Sequence, residues 1–119
     1  MNIEEFRAYC LAKKGVEESL PFGPSALVFK VMGKMFTICN IDDFTGFSAK
    51  CDPERAIELR EEYPHGISGA YHMSKTHWNG VLCDGSVPHH LLIELIDNSY
   101  DLIVKSLTKK LRDELNIMR

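Results

Sequence analysis

Ala26-Leu27-Val28-Phe29-Lys30-Val31-Met32-Gly33-Lys34-Met35-Phe36-Thr37-Ile38-Cys39-Asn40-Ile41 is the stretch that decides the fold. Ala26 to Val31 and Met35 to Ile41 are rich in β-branched and aromatic residues. Gly33-Lys34 between them suits a two-residue hairpin in which glycine takes the first, positive-φ position. The expectation is strand, tight turn, strand. After Asp42-Asp43, the run Gly46-Phe47-Ser48-Ala49-Lys50-Cys51 alternates at period two, as a half-buried third strand does. Asp52-Pro53-Glu54 then starts a helix: Asp can cap free N–H groups, Pro suits the first helical position, and Glu favours the positive end of the dipole. Ala56, Leu59 and Tyr63 recur on one face of it, and Pro64-His65-Gly66 ends it.

Upstream, Ile3, Phe6 and Cys10 stand at helical spacing over residues 3–14, with Gly15 placed to stop the run. Leu20-Pro21-Phe22-Gly23-Pro24 breaks all periodicity and reads as a rigid connector. Downstream, Ala70 to Cys83 reads as a second hairpin, its turn at Ser74-Lys75-Thr76 or at Asn79-Gly80. The former is favoured because Trp78 to Cys83 then makes one continuous strand. Pro88 opens a last helix whose stripe runs through Leu91, Leu92, Leu95, Ile96, Ile103, Leu107 and Leu111, and Asp97-Asn98-Ser99 marks a place for it to kink or split. The order is α-β(3)-α-β(2)-α, an α+β fold of two layers with one antiparallel sheet and helices packed on one face. Such a sheet leaves its other face open to water or a partner.

The length of 119 residues, with 45% apolar and 26% charged residues, fits a single domain over 1–119. The net charge of −3 is unevenly spread: residues 26–51 carry three lysines against two aspartates, and 52–70 carry two arginines against five acids. A strongly basic nucleic-acid binder would look different, so any polyanion site must be a small patch. Apolar runs fall far short of the roughly 20 residues needed to cross a bilayer, and the acidic start Met1-Asn2-Ile3-Glu4-Glu5-Phe6 is unlike a signal peptide. A cytoplasmic location follows as the expectation, with Cys10, Cys39, Cys51 and Cys83 as free thiols that mostly fill the core. The five histidines show no zinc spacing, there is no Gly-x-Ser-x-Gly elbow, and Gly33-Lys34 lacks the rest of a phosphate loop. No metal, no cofactor and no enzymatic activity are expected. Glu58, Glu61 and Glu62, offset by Arg55 and Arg60, read as a solvated helix face.

Several separated strings together resemble the MmcQ/YjbR family of small bacterial proteins. They are Pro21-Phe22-Gly23, Phe29-Lys30-Val31 with Gly33-Lys34-Met35-Phe36, Lys50-Cys51-Asp52-Pro53-Glu54 through Glu58-Leu59-Arg60 to Tyr63-Pro64, Tyr71-His72-Met73 with Lys75, His77-Trp78-Asn79, Asp84-Gly85, and Ser99-Tyr100-Asp101-Leu102. The resemblance spans nearly the whole chain. It implies a fold likened to type III secretion chaperones and the frataxin-like CyaY group, and a description as DNA-binding with a double-wing architecture. Two departures stand out. Ser68-Gly69-Ala70 precedes Tyr71 where the family has Pro-Gly, and Gly80 follows Asn79 where Thr or Ser is expected.

Tyr71 to Asn79 is the densest polar and aromatic cluster in the chain, with two imidazoles, an ammonium, an indole and an amide. Lysine and histidine supply phosphate donors, and tryptophan supplies a stacking surface for an unpaired base. With Lys34 at the other turn as second wing, the candidate nucleic-acid-binding residues are Lys30, Lys34, Lys50, His72, Lys75, His77, Trp78 and Asn79. The plainer reading is that Tyr71 and Trp78 anchor the sheet to the helices with His72 and His77 hydrogen-bonded between elements, since aromatic residues usually fill cores. Alternation argues against all the sheet lysines facing one way, so DNA binding should be weak and salt-sensitive. The function expected is noncatalytic DNA binding through two hairpin wings. The competing class is a protein-interaction or chaperone-like adaptor that joins a second chain, identical or not, through the open sheet face or an edge strand.

Overall fold

The computed structural model of the chain describes residues 1–70 and 73–118. The elements are α1 (Ile3–Leu11), β1 (Val16–Ser19), β2 (Ala26–Val31), β3 (Lys34–Asn40), β4 (Gly46–Lys50), α2 (Pro53–Glu62), β5 (Ile67–Gly69), β6 (Trp78–Leu82), α3 (His89–Ser106) and α4 (Lys109–Ile117). The strands form one antiparallel sheet in the order β1-β2-β3-β4-β6-β5. The architecture is α+β, as the patterning predicts, with an added edge strand β1 and a last helix in two pieces. Among the described residues no helix is long and apolar enough to cross a membrane.

The helices gather on one face. Register places Leu27, Phe29, Cys39, Phe47, Ala49, Val81 and Ile67 on that face, and all belong to one buried cluster with residues of all four helices. Phe6 of α1 is its aromatic hub, stacked on Phe47 at 5.0 Å and edge-on to Phe29 at 5.5 Å. The helix that carries it is fixed at its start by a reciprocal cap, Asn2 Oδ1 accepting from Glu5 N–H and Glu5 Oε1 from Asn2 N–H. Its other end is tied to α3, where the Tyr9 hydroxyl donates to Asp97 at 2.6 Å and Lys13 pairs with the same carboxylate. Burial, that hydrogen bond and the carboxylate's charge push the Tyr9 phenol up to about 12.

Four local details differ from the expectation. The β2–β3 turn is Met32-Gly33 rather than Gly33-Lys34: Met32 and Gly33 have φ of 49° and 85°, the two positive angles of a mirror-image hairpin turn. Lys34 therefore begins a strand. β1 is four residues with two acids, too short and too charged to read as a strand; its Glu18 is held by a forked ion pair with Arg7 of α1. The second hairpin starts earlier, at Ile67, and eight residues join its strands; its turn falls at Ser74–His77, so that Trp78–Leu82 is one continuous strand. Asp52 occupies the N-cap position of α2 without a side-chain capping bond.

Helix α3 runs unbroken through Asp97-Asn98-Ser99, and the break comes at Leu107-Thr108, where Thr108 caps α4. Ser99 explains the continuity. Its buried hydroxyl donates to Phe36 O at 2.5 Å and accepts from Lys50 N–H at 2.8 Å, bridging β3 and β4 just past their last paired residues, Thr37 and Ala49. Phe36 is an extra residue in β3 opposite the Phe29–Lys30 step, a bulge that turns its ring edge-on to Tyr100 of α3.

Candidate nucleic-acid interface

Strand direction puts the Met32-Gly33 turn and the Ser74–His77 turn at the same end of the sheet, here called the upper end. Three strand spacings separate them, about 14 Å. The lysines near these turns divide by register. Lys30 and Lys50 alternate with core residues and so lie on the helix-free face; Lys50 is the cross-strand partner of Trp78, which shares that face. Trp78 is half-buried and stands outside the core cluster, as do its facemates Met35 and Ile38.

Lys34 goes the other way. The one-residue shift of the turn flips its side chain to the helical face, where Nζ donates to Ser106 O at the end of α3, 3.3 Å away. This cation complements the carbonyl end of a helix. Lys75 and His77 are exposed on the second turn, and the Lys75 stem lies over Gly69, the cross-strand partner of Asn79, on the helical side of the sheet. Asn79 is 2% exposed and belongs to the scaffold: its Nδ2 donates to Ala56 O at 3.3 Å and its Oδ1 accepts from Arg60 Nε at 2.7 Å. His72 lies outside the described residues.

Arg60 is the residue that sequence reasoning passed over. From α2 its guanidinium also donates to the carbonyls of Lys75 and Trp78, so one side chain ties the helix to the turn and to the first residue of β6. The Cys51 N–H donates to His77 O at 2.8 Å and closes the same turn from β4. Trp78 thus starts from a fixed backbone. Because Arg60 and the turn are far apart in sequence, only the neighbouring glutamates gave Arg60 a visible role.

Below Trp78, the helix-free face is a shallow concavity of about 560 Å³. Its floor is the cross-strand row Ile38, Ser48, Gly80 and Ser68, uncharged throughout. Asp43 lines its lower end. Chemically, the face offers two ammonium groups and an indole at its upper edge, with the Glu17 carboxylate opposite Lys30, hydroxyls in the middle and the Asp43 carboxylate below. All four thiols are free, and burial pushes those of Cys10 and Cys39 up to about 12, which suits core packing and not nucleophilic attack.

The YjbR family model matches residues 11–102. The chain belongs to the YjbR family. It is similar to the protein YjbR of Escherichia coli (strain K12), at 33% identity over 94% of this chain and 95% of that protein. It is also similar to YbdF of Escherichia coli O157:H7, at 35% identity over 80% of this chain and 78% of that one. Among solved structures, Deinococcus radiodurans DR2400 superposes with a TM-score of 0.91 at 38% identity, covering 97% of this chain and 88% of that one. A Pseudomonas syringae protein gives 0.73 at 28% identity, covering 86% and 98%. The YjbR-family assignment agrees with the strings quoted above and with the shape of the sheet.

Proposed function

We propose that this chain is a noncatalytic module that binds nucleic acid weakly along the upper edge of its helix-free sheet face. Lys30 and Lys50 meet phosphates, Trp78 offers a stacking surface, and His77 extends the contact at the rim. The observation that carries the reading is the pairing of Lys50 with Trp78 across neighbouring strands on the one face no helix covers, with Lys30 on the same face. Cation beside aromatic, on a surface open to a polymer, is what backbone contact plus base stacking require. The double-wing idea is narrowed to one working wing, because Lys34 is engaged with α3.

The small number of cations sets the strength. Three phosphate contacts predict affinity falling about 20- to 40-fold between 50 and 200 mM salt. Trp78 is the only tryptophan, so its fluorescence reports directly during titration with DNA. A response that fades with salt on that scale and is lost in Lys30→Ala/Lys50→Ala supports the reading; a flat response at low salt overturns it.

One observation favours a protein partner instead. Phe22 is 71% exposed on the β1–β2 connector, with Leu20 and Ile41 also exposed, all at the lower end of the sheet. Ile41 N–H donates to Ser25 O, which holds the two lower loops together. A second chain docking there would make sedimentation concentration-dependent or retain a partner, and Phe22→Ser would abolish it; a strict monomer without a partner counts against this alternative.

A further inference from the structure

Gly80 sits at the upper margin of the concavity without a folding reason to be glycine. Its φ is not in the left-handed region, and a Cβ there would meet nothing nearer than Ser68 Oγ at 3.8 Å, an ordinary contact. Gly46, the first residue of the neighbouring strand β4, is the opposite case: a Cβ would fall 2.0 Å from Val81 O. Glycine inside a strand weakens it through backbone entropy and the absence of a side chain to pack. Pairing is in regular register on both sides of Gly80, so it makes no bulge, and the remaining use of a strand glycine is close approach of a ligand or another backbone.

What approaches is constrained by the surroundings. Trp78 and Gly80 are two residues apart on one strand and share a face, so the indole stands next above the residues that line the floor. Lys50 flanks the indole, Lys30 lies further along the same edge, and Asp43 occupies the opposite end. Positive charge is thus confined to the upper edge, where Glu17 stands across the strands from Lys30 and leaves Lys50 as the cation beside the indole, and the floor is neutral with the hydroxyls of Ser48 and Ser68 available for hydrogen bonds. At about 560 Å³ the concavity falls in the size range of ligand pockets.

We propose that Gly80 makes the floor of a site for single-stranded nucleic acid, in which an unpaired base stacks against Trp78 and extends over Gly80 while its phosphates follow the Lys30–Lys50 edge. This rests on the nucleic-acid reading above and sharpens it to a strand class. A duplex keeps its base faces stacked inward and presents only its backbone and groove edges to such a face, whereas a single strand can lay a base flat on the sheet. Asp43 repels phosphate from the lower end and so sets which way the strand lies.

The test compares a short oligothymidine with a duplex of the same length, at low salt, on the full chain and on Gly80→Thr. Threonine is at home in strands, and its Cβ has room, so the thermal unfolding midpoint should be unchanged or higher. The expected result is tighter binding of the single strand by the unmodified chain, and a loss of about tenfold with Gly80→Thr, the size of one stacked base. Duplex binding should be unaffected by the substitution. Equal affinity for both forms, or a Gly80→Thr variant that binds the single strand as well as the unmodified chain, overturns the inference and leaves lysine-edge binding standing. No binding of either form overturns the parent reading as well. If Gly80→Thr unfolds early, Gly80→Ala, whose single methyl has 3.8 Å of room, carries the same test. It should give a smaller loss for the single strand alone, and no loss overturns the inference.

Discussion

The two turns at the upper end of the sheet are built from opposite materials. Met32-Gly33 is a two-residue turn set by its own backbone angles with one long outside hydrogen bond, Met32 N–H to Gly15 O at 3.4 Å, and the lysine beside it is drawn back to the end of α3. The Ser74–His77 turn closes a longer connection held from outside, by Arg60 of α2 and by the backbone of Cys51, and it leaves Lys75 and His77 in water. The first turn sends the residue after it to the helical face, whereas the second, held by a helix and a neighbouring strand, fixes Trp78 on the helix-free one. The functional weight of the molecule should therefore lie on the second turn and the strand it feeds.

Breaking the anchor should have the largest effect. Arg60→Ala leaves Asn79 Oδ1 and two carbonyls without their charged donor, and should lower unfolding free energy by about 2–3 kcal/mol. Denaturant titration measures this, and amide exchange should show residues 74–78 loosening more than residues 31–34. In the first turn, Gly33→Ala should cost roughly 1–2 kcal/mol because the φ of 85° disfavours any side chain. Unlike Arg60→Ala, it should leave DNA binding intact, which a titration on both variants checks.

The lysines sharpen the contrast further. Lys34→Ala should change stability by about 0.5 kcal/mol or less, through its helix-end contact, and leave the salt dependence of binding alone. Lys50→Ala should reduce the salt slope by about 0.7–0.9. The smallest effect belongs to the far edge of the sheet. The hydrogen bond and charge of Arg7 hold the Glu18 carboxyl below its ordinary range. A depressed acid stabilises the fold above its unfolded-state pKa and loses that contribution as pH falls through the folded one. The stability gap between the natural chain and Glu18→Gln should thus be full at neutral pH and close below the carboxylate range, as unfolding at the two pH values would show.

The β2–β3 hairpin, β4, α2 and the placement of Trp78 on a continuous strand were legible because each rests on local pattern. The phase of the first turn was not: Gly33 serves equally in either turn position, and nothing local announces that Met32 adopts a positive φ. That single residue decided which face Lys34 occupies. β1 escaped notice because its stability comes from pairing with β2 and from Arg7, both remote in sequence. Asn79, read as a contact residue amid aromatics, is claimed by Arg60 and Ala56 from the preceding helix. Of the candidate site, the residue types were visible, whereas the sorting of Lys30 and Lys50 from Lys34 required the register.

The most direct test of the lysine–indole edge is amide chemical-shift mapping during titration with a single-stranded oligonucleotide at low salt. The account predicts the largest shifts at Lys30, Lys50, Trp78 and Gly80, with α2 and α4 nearly silent. Shifts centred on Lys105, Lys109 and Arg112, or on the helical face around Lys34, would contradict it.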